Sequence, residues 1–152
     1  MVRNLVLGLG AAVCALSALA AAPGYRAQLV GGTAPGAVSK SKARLDLSGS
    51  ELLVLRSGQA ELRIDYRRIN TLEYGQNVSR RYAEAILISP VLLLAKSRKH
   101  FVTLGYQDDA GQQQALVLRV DKGDIRSVLA SLEARTGRRV EYQDHEARKG
   151  GR

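Results

Sequence analysis

Two histidines, one cysteine and one pair of adjacent carboxylates are the residues whose types could do nucleophilic, acid–base or metal chemistry: His100, His145, Cys14 and Asp108-Asp109. Their settings argue against each. His100 follows Lys99, and a neighbouring cation disfavours the protonated imidazole; at the head of an apolar alternation it reads as a strand-end rim residue. His145 stands between Asp144 and Glu146 in a polar tail, where a metal would need further ligands held rigidly. Asp108 and Asp109 fall in "YQDDAGQ", a turn sequence in which Asp serves the backbone. Cys14 lies deep in an uncharged run and follows Val13, not the small residue that precedes a lipid-modified cysteine. No His-Glu-x-x-His, Gly-x-Ser-x-Gly or phosphate-cradling glycine loop occurs. The reading is a non-catalytic protein with no metal and no cofactor.

The elements that would position any site begin after a targeting segment. Arg3 precedes "LVLGLGAAVCALSALA", and Ala18-Leu19-Ala20 supplies the small-x-small pattern of a signal peptidase site. A signal peptide over 1–20 and an exported protein, periplasmic or secreted, are therefore expected. The alternative is an uncleaved membrane anchor, since Leu5 to Tyr25 carries no charge and approaches the roughly 20 residues of a spanning helix. Removal of residues 1–20 takes Cys14 with it and leaves no thiol for a disulfide. Residues 21–43, rich in Gly, Pro, Ala and Ser, read as a flexible leader, and 143–152 as a disordered tail. Residues 44–142 remain as one small domain.

Within that domain the apolar periods alternate between strand and helix. Leu62, Ile64 and Tyr66 alternate with Glu61, Arg63 and Asp65, a half-buried strand. A further short strand is expected near Leu72 to Tyr74. Val102, Leu104 and Tyr106, a turn at Asp108 to Gly111, and Leu116, Leu118 and Val120 make a hairpin. Ile125, Val128, Leu129 and Leu132 then form one helical stripe, with Asp121 as N-cap and Gly137 as stop. Strands followed by one amphipathic C-terminal helix make an α+β domain, a bent antiparallel sheet or barrel with the helix over one end or face.

The run "LRIDYRRINTLEYG", "KHFVTLGYQDDAG" and "QALVLRVDKGDIRSVLASLEARTG" resembles small bacterial domains of the pleckstrin-homology-like (PH/GRAM-like) superfold, and more narrowly uncharacterised exported bacterial proteins. The resemblance covers residues 44–142. It implies a bent antiparallel barrel closed by a C-terminal helix, and binding of lipid head groups, peptides or proteins in place of catalysis. Lys40 and Lys42 lie in the expected leader, so phosphoinositide specificity is not implied.

One stretch interrupts the strands, an apolar insertion at 78–98. In "AEAILISPVLLLAKSRKH" seven large apolar residues, Ile86, Leu87, Ile88, Val91, Leu92, Leu93 and Leu94, are bracketed by Arg80, Arg81, Lys96, Arg98 and Lys99. Leaving seven such side chains in water forfeits on the order of 10 kcal/mol, against a net stability of about 5–15 kcal/mol for a domain. Something must cover them. The stretch is too short to span a bilayer, and Pro90 breaks a helix in its middle. The cover is the domain's own core, an anionic lipid surface, or a protein partner that includes a second copy. Residues 44–142 hold sixteen basic and twelve acidic side chains. Five of the basic and one of the acidic lie in 80–100, so the remainder is neutral. That concentration keeps the membrane cover in view. The full chain carries +9, or +8 without Arg3, yet much of the excess sits in leader and tail. A stacking platform of Tyr74 and Tyr82 near Arg80 and Arg81 is less expected than packed tyrosines, and no nucleic-acid partner is expected. The function expected is peripheral association with an anionic membrane surface through 80–100, or alternatively a soluble protein-interaction or oligomerising module using the same segment.

Overall fold

The computed structural model describes residues 24–35, 40–78 and 99–151. These form β1 (Tyr25–Gly32), β2 (Ser41–Asp46), β3 (Leu52–Ser57), β4 (Ala60–Asp65), a 3-10 turn (Tyr66–Arg68), β5 (Ile69–Gly75), β6 (His100–Gln107), β7 (Gln113–Val120), α1 (Ile125–Thr136), β8 (Glu141–Tyr142) and α2 (His145–Gly151). The strands make one open sheet in the order β4-β3-β2-β1-β7-β6-β5-β8, with β4 and β8 at its edges. Neighbours pair antiparallel except β5 and β8, which run parallel. The fold is therefore sheet-rich and mixed α+β, with a short C-terminal helix beyond the principal one.

The expected hairpin is present with its expected facing. Val102 lies opposite Leu118 and Leu104 opposite Leu116, all four fully buried. The helical stripe is likewise buried at Ile125, Val128, Leu129 and Leu132. It joins Leu45, Leu53, Leu55, Ile64, Leu72 and the inward residues of β6 and β7 in one core. Gly137, at φ 66°, ends α1 in the left-handed conformation that glycine adopts without strain. The start differs from expectation. Asp124, not Asp121, precedes the first helical residue, and its side chain makes no capping bond. The Asp121 carbonyl instead accepts from the N–H groups of Asp124 and Ile125, while its carboxylate lies 3.8 Å from Arg26.

Two segments correct the reading of the chain ends. Residues 25–32 and 41–43, assigned by composition to a flexible leader, lie in β1 and β2, and β1 sits between β2 and β7 inside the sheet. Hydrogen bonding along both edges supplies the order that its small side chains do not. Ala27 faces Ala43 across one pairing and Val120 across the other. A register shift between Leu29 and Gly31 marks a bulge. Leu29 is buried in the main core, whereas Val30 belongs to a second cluster with Val78, Phe101, Ala115 and Val117. The tail from 143 is the second correction. Residues 145–151 form α2, Asp144 Oδ1 accepts from Ala147 N–H at 2.6 Å, and Ala147 is fully buried.

Candidate functional site

Of the residues singled out in the apolar insertion, Arg80, Arg81, Ile86, Leu87, Val91, Leu92, Leu93, Leu94, Lys96 and Arg98 lie outside the described residues, as do Ile88, Tyr82 and the signal segment. Lys99 is described, half-buried at the entrance to β6. Val78, the first residue of the insertion and the last described before residue 99, is buried in the second apolar cluster. His145 is exposed at the start of α2. Asp108 does serve its turn: Oδ1 accepts from the N–H groups of Ala110 and Gln112, and Oδ2 from Gln114 Nε2 at 2.8 Å. The Gln114 bond leads in holding its carboxyl below the usual range, with the backbone bonds adding to it. Among the described residues, no three His, Cys, Asp or Glu side chains are grouped to hold a metal ion. No described helix is long and apolar enough to cross a membrane.

His100 is more than a rim residue. Its Nδ1 lies 2.5 Å from the Tyr74 hydroxyl, and the two rings are parallel to within 4° with centroids 6.0 Å apart. Tyr74 is fully buried and also meets Tyr142 edge-to-face. Burial raises the Tyr74 pKa, so its hydroxyl keeps the proton that it can donate. Burial first, and the Lys122 charge second, lower the His100 pKa. The neutral imidazole is thereby favoured. In the tautomer in which Tyr74 donates to Nδ1, the ring's proton sits on Nε2.

The backbone around this pair is built from glycine and a parallel strand contact. β8 places Tyr142 opposite Tyr74, and Gln143 N–H donates to the Tyr74 carbonyl at 3.1 Å. Gln143 Nε2 then donates to Glu73 Oε1 at 2.8 Å. α2 lies against the two tyrosines at its end. A Cβ at Gly151 would stand 2.7 Å from the Tyr142 ring, and one at Gly150 would stand 3.0 Å from the Tyr74 hydroxyl. Two glycines thus bring the helix backbone against the aromatic pair, a use that offsets their cost in a helix.

Beside His100 opens a cavity of about 590 Å³, lined by Gln76, His100, Lys122, Gly123, Arg126, Lys149 and Gly150. Its walls come from the end of β5, the start of β6, the β7–α1 connection, α1 and α2. Three full positive charges face it, and no carboxylate is among its lining residues. Lys122, Arg126 and Lys149 have no ion-pair or hydrogen-bond partner among the described residues. Gly123 leaves open space where a side chain would begin.

Of this site the sequence pointed only to His100 and to neighbouring Lys99. Lys122, Arg126 and Lys149 were missed because they come from three separate elements. The available signals were Lys122 just before the helix start and Arg126 in its first turn, and the glycine pair directly after Lys149. Compared with known families and proteins, the chain matches no family model and no curated protein sequence.

Proposed function

We propose that this protein is a non-catalytic exported binding domain of the PH-like superfold that associates peripherally with an anionic membrane surface through residues 80–100. The strand order supports the fold assignment. Two antiparallel meanders, β1–β4 and β5–β7, join through β1 and β7, and α1 packs on their common core. The observation that carries the membrane reading is the cation-lined cavity between Gln76 and His100. Gln76 and His100, on either side of residues 79–98, line this cavity with Lys122, Arg126 and Lys149, which have no ion-pair or hydrogen-bond partner among the described residues. Apolar side chains beside such a cationic rim suit the boundary of acyl chains and anionic head groups.

A second reading rests on a different observation. Val30, Val78, Phe101, Ala115 and Val117 form a buried apolar cluster apart from the main core, and Val78 and Phe101 lie on either side of residues 79–98. Packing of the insertion against that cluster, in its own chain or between two copies, would make a soluble interaction module.

Co-sedimentation of residues 21–152 with anionic and neutral vesicles separates the two. Membrane association predicts pelleting with anionic vesicles that weakens above physiological ionic strength, and its loss in a folded Leu92→Ser/Leu94→Ser variant. No pelleting, or an unfolded double variant, assigns the segment to protein packing and ends the membrane reading.

A further inference from the structure

We infer that the cavity between β5, β6, α1 and α2 is a binding site for a multiply charged anion of the phosphate class, held by Lys122, Arg126, Lys149 and His100. The inference goes beyond membrane attachment and does not require it, because every donor lies in the described part of the fold. A phospholipid headgroup and a soluble phosphorylated small molecule share this chemistry.

The donor inventory carries the assignment. Lys122 and Lys149 each offer three N–H donors and Arg126 offers five, and none of these three side chains accepts a hydrogen bond. His100 adds an Nε2–H donor in the tautomer in which Nδ1 accepts from Tyr74. Gln76 supplies the only side-chain amide of the lining. Such a set is matched by a ligand that is all acceptor and carries more than one negative charge. A phosphate ester, with two charges and three terminal oxygens, fits it better than a carboxylate with one charge and two oxygens.

Elsewhere among the described residues Arg56 pairs with Asp46 and Glu61, and Arg119, Arg135 and Arg138 donate to Gln28 Oε1 and to the carbonyls of Gly49 and Ile69. Lys122, Arg126 and Lys149, all exposed, have no ion-pair or hydrogen-bond partner among the described residues and line one concavity, where an anion would be attracted by all three. A cavity of about 590 Å³ is of the size that takes a small-molecule ligand, roughly 300–1,000 Å³.

Gly123 provides a clean way to break the site. Its added Cβ meets nothing within 4 Å, so Gly123→Asp places a carboxylate among the cations without a clash. The full-length chain is titrated with inorganic pyrophosphate at pH 7 in about 0.15 M salt, where diffuse attraction is screened. Calorimetry and the ring-nitrogen NMR signals of His100 and His145 follow the titration. The expected result is saturable 1:1 binding that shifts the His100 signals and leaves those of His145 unmoved. Lys122→Ala and Lys149→Ala should each weaken it roughly tenfold, the loss of one charge-assisted hydrogen bond. Gly123→Asp should abolish it while keeping the wild-type circular dichroism spectrum.

A parallel arm measures vesicles of phosphatidylcholine with and without phosphatidic acid. Pyrophosphate binding without cavity-dependent vesicle binding supports a soluble ligand. Vesicle binding lost in Gly123→Asp, with weak pyrophosphate binding, supports a headgroup. Absence of both, or affinities unchanged in Gly123→Asp and Lys122→Ala, overturns the inference. Loss of vesicle binding in Leu92→Ser/Leu94→Ser with pyrophosphate binding intact leaves the cavity assignment standing and tests only the membrane reading.

Discussion

The two ends of the sheet treat positive charge in opposite ways. Around the β3–β4 hairpin and the 3-10 turn, Arg56 lies 3.2 Å from Asp46 and 2.8 Å from Glu61, Arg63 lies 2.7 Å from Glu61, Arg67 lies 2.7 Å from Asp65, and Arg68 pairs with Asp109. Around the cavity, Lys122, Arg126 and Lys149 have no such partners among the described residues. Counting along the chain makes residues 44–142 outside 80–100 neutral, yet the fold gathers paired cations at one end of the sheet and at the other brings Lys122 and Arg126 together with Lys149 from beyond that range. Net charge of a segment thus says little about where a field emerges. Pairing in three dimensions decides it.

The difference is first a difference in what folding requires, and the largest effect is expected at the paired end. Asp46 is nearly buried. It accepts from Ser48 N–H at 3.0 Å and Ser48 Oγ at 2.6 Å, and faces Arg56 Nη1. The Ser48 bonds lead in lowering its pKa, with Arg56 adding to them. Asp46→Ala removes the acceptor of all three and should cost about 2–3 kcal/mol, measured by urea denaturation. Lys122→Ala, which removes no ion pair or hydrogen bond among the described residues, should stay within about 0.5 kcal/mol. Equal costs at the two sites would erase the contrast.

Within the paired end one polar group is an exception, and it sharpens the comparison. The Tyr66 hydroxyl is buried with no hydrogen-bond partner, and burial leads in raising its pKa. Its ring carries the useful contacts: it belongs to the main core and lies 5.7 Å from the Arg135 guanidinium. Phenylalanine keeps both. Tyr66→Phe should therefore stabilise the protein by about 1 kcal/mol, a rise in thermal midpoint of about 4–8 °C for a domain of this size. A loss of stability would place an ordered water on that hydroxyl.

How far the sequence foretold each part follows from the range of the signals. The β6–β7 hairpin and α1 were legible because Val102, Leu104, Leu116 and Leu118 alternate and Ile125, Val128, Leu129 and Leu132 repeat at helical spacing. Each pattern is complete within one element. β1 was not legible. Its Ala27, Gly31 and Gly32 look like linker, and its order comes from pairing with β7, some ninety residues away. α2 was hidden for a related reason: Gly150 and Gly151 are poor helix formers, and only the approach to Tyr74 and Tyr142 explains them. The cavity shared this fate, since its cations meet only after β5, β6, α1 and α2 have assembled.

The smallest effect is a pH response confined to the free end. His100 has a folded pKa below its ordinary value of about 6.5, through burial and then Lys122. The charged groups facing it are Lys122, Arg126 and Lys149 across the cavity, with Tyr74 on Nδ1. Between its two pKa values the unfolded chain binds more protons than the folded one, so stability rises with pH in that interval. The contribution is fully present above about pH 6.5 and is lost as the pH falls through the depressed folded value. Asp46, Asp65 and Asp108 do not interfere, because their folded pKa values lie below 3.8, with that of Asp65 at about 2. Denaturation midpoints between pH 7.5 and 5 should fall for the wild type and stay flatter for His100→Gln. Saturating pyrophosphate should diminish the fall, since an anion among Lys122, Arg126 and Lys149 stabilises the imidazolium and raises the folded pKa toward the unfolded one. An unchanged slope in the variant would show that the Lys122 field does not reach His100, and the free end would then be free of consequence as well as of partners.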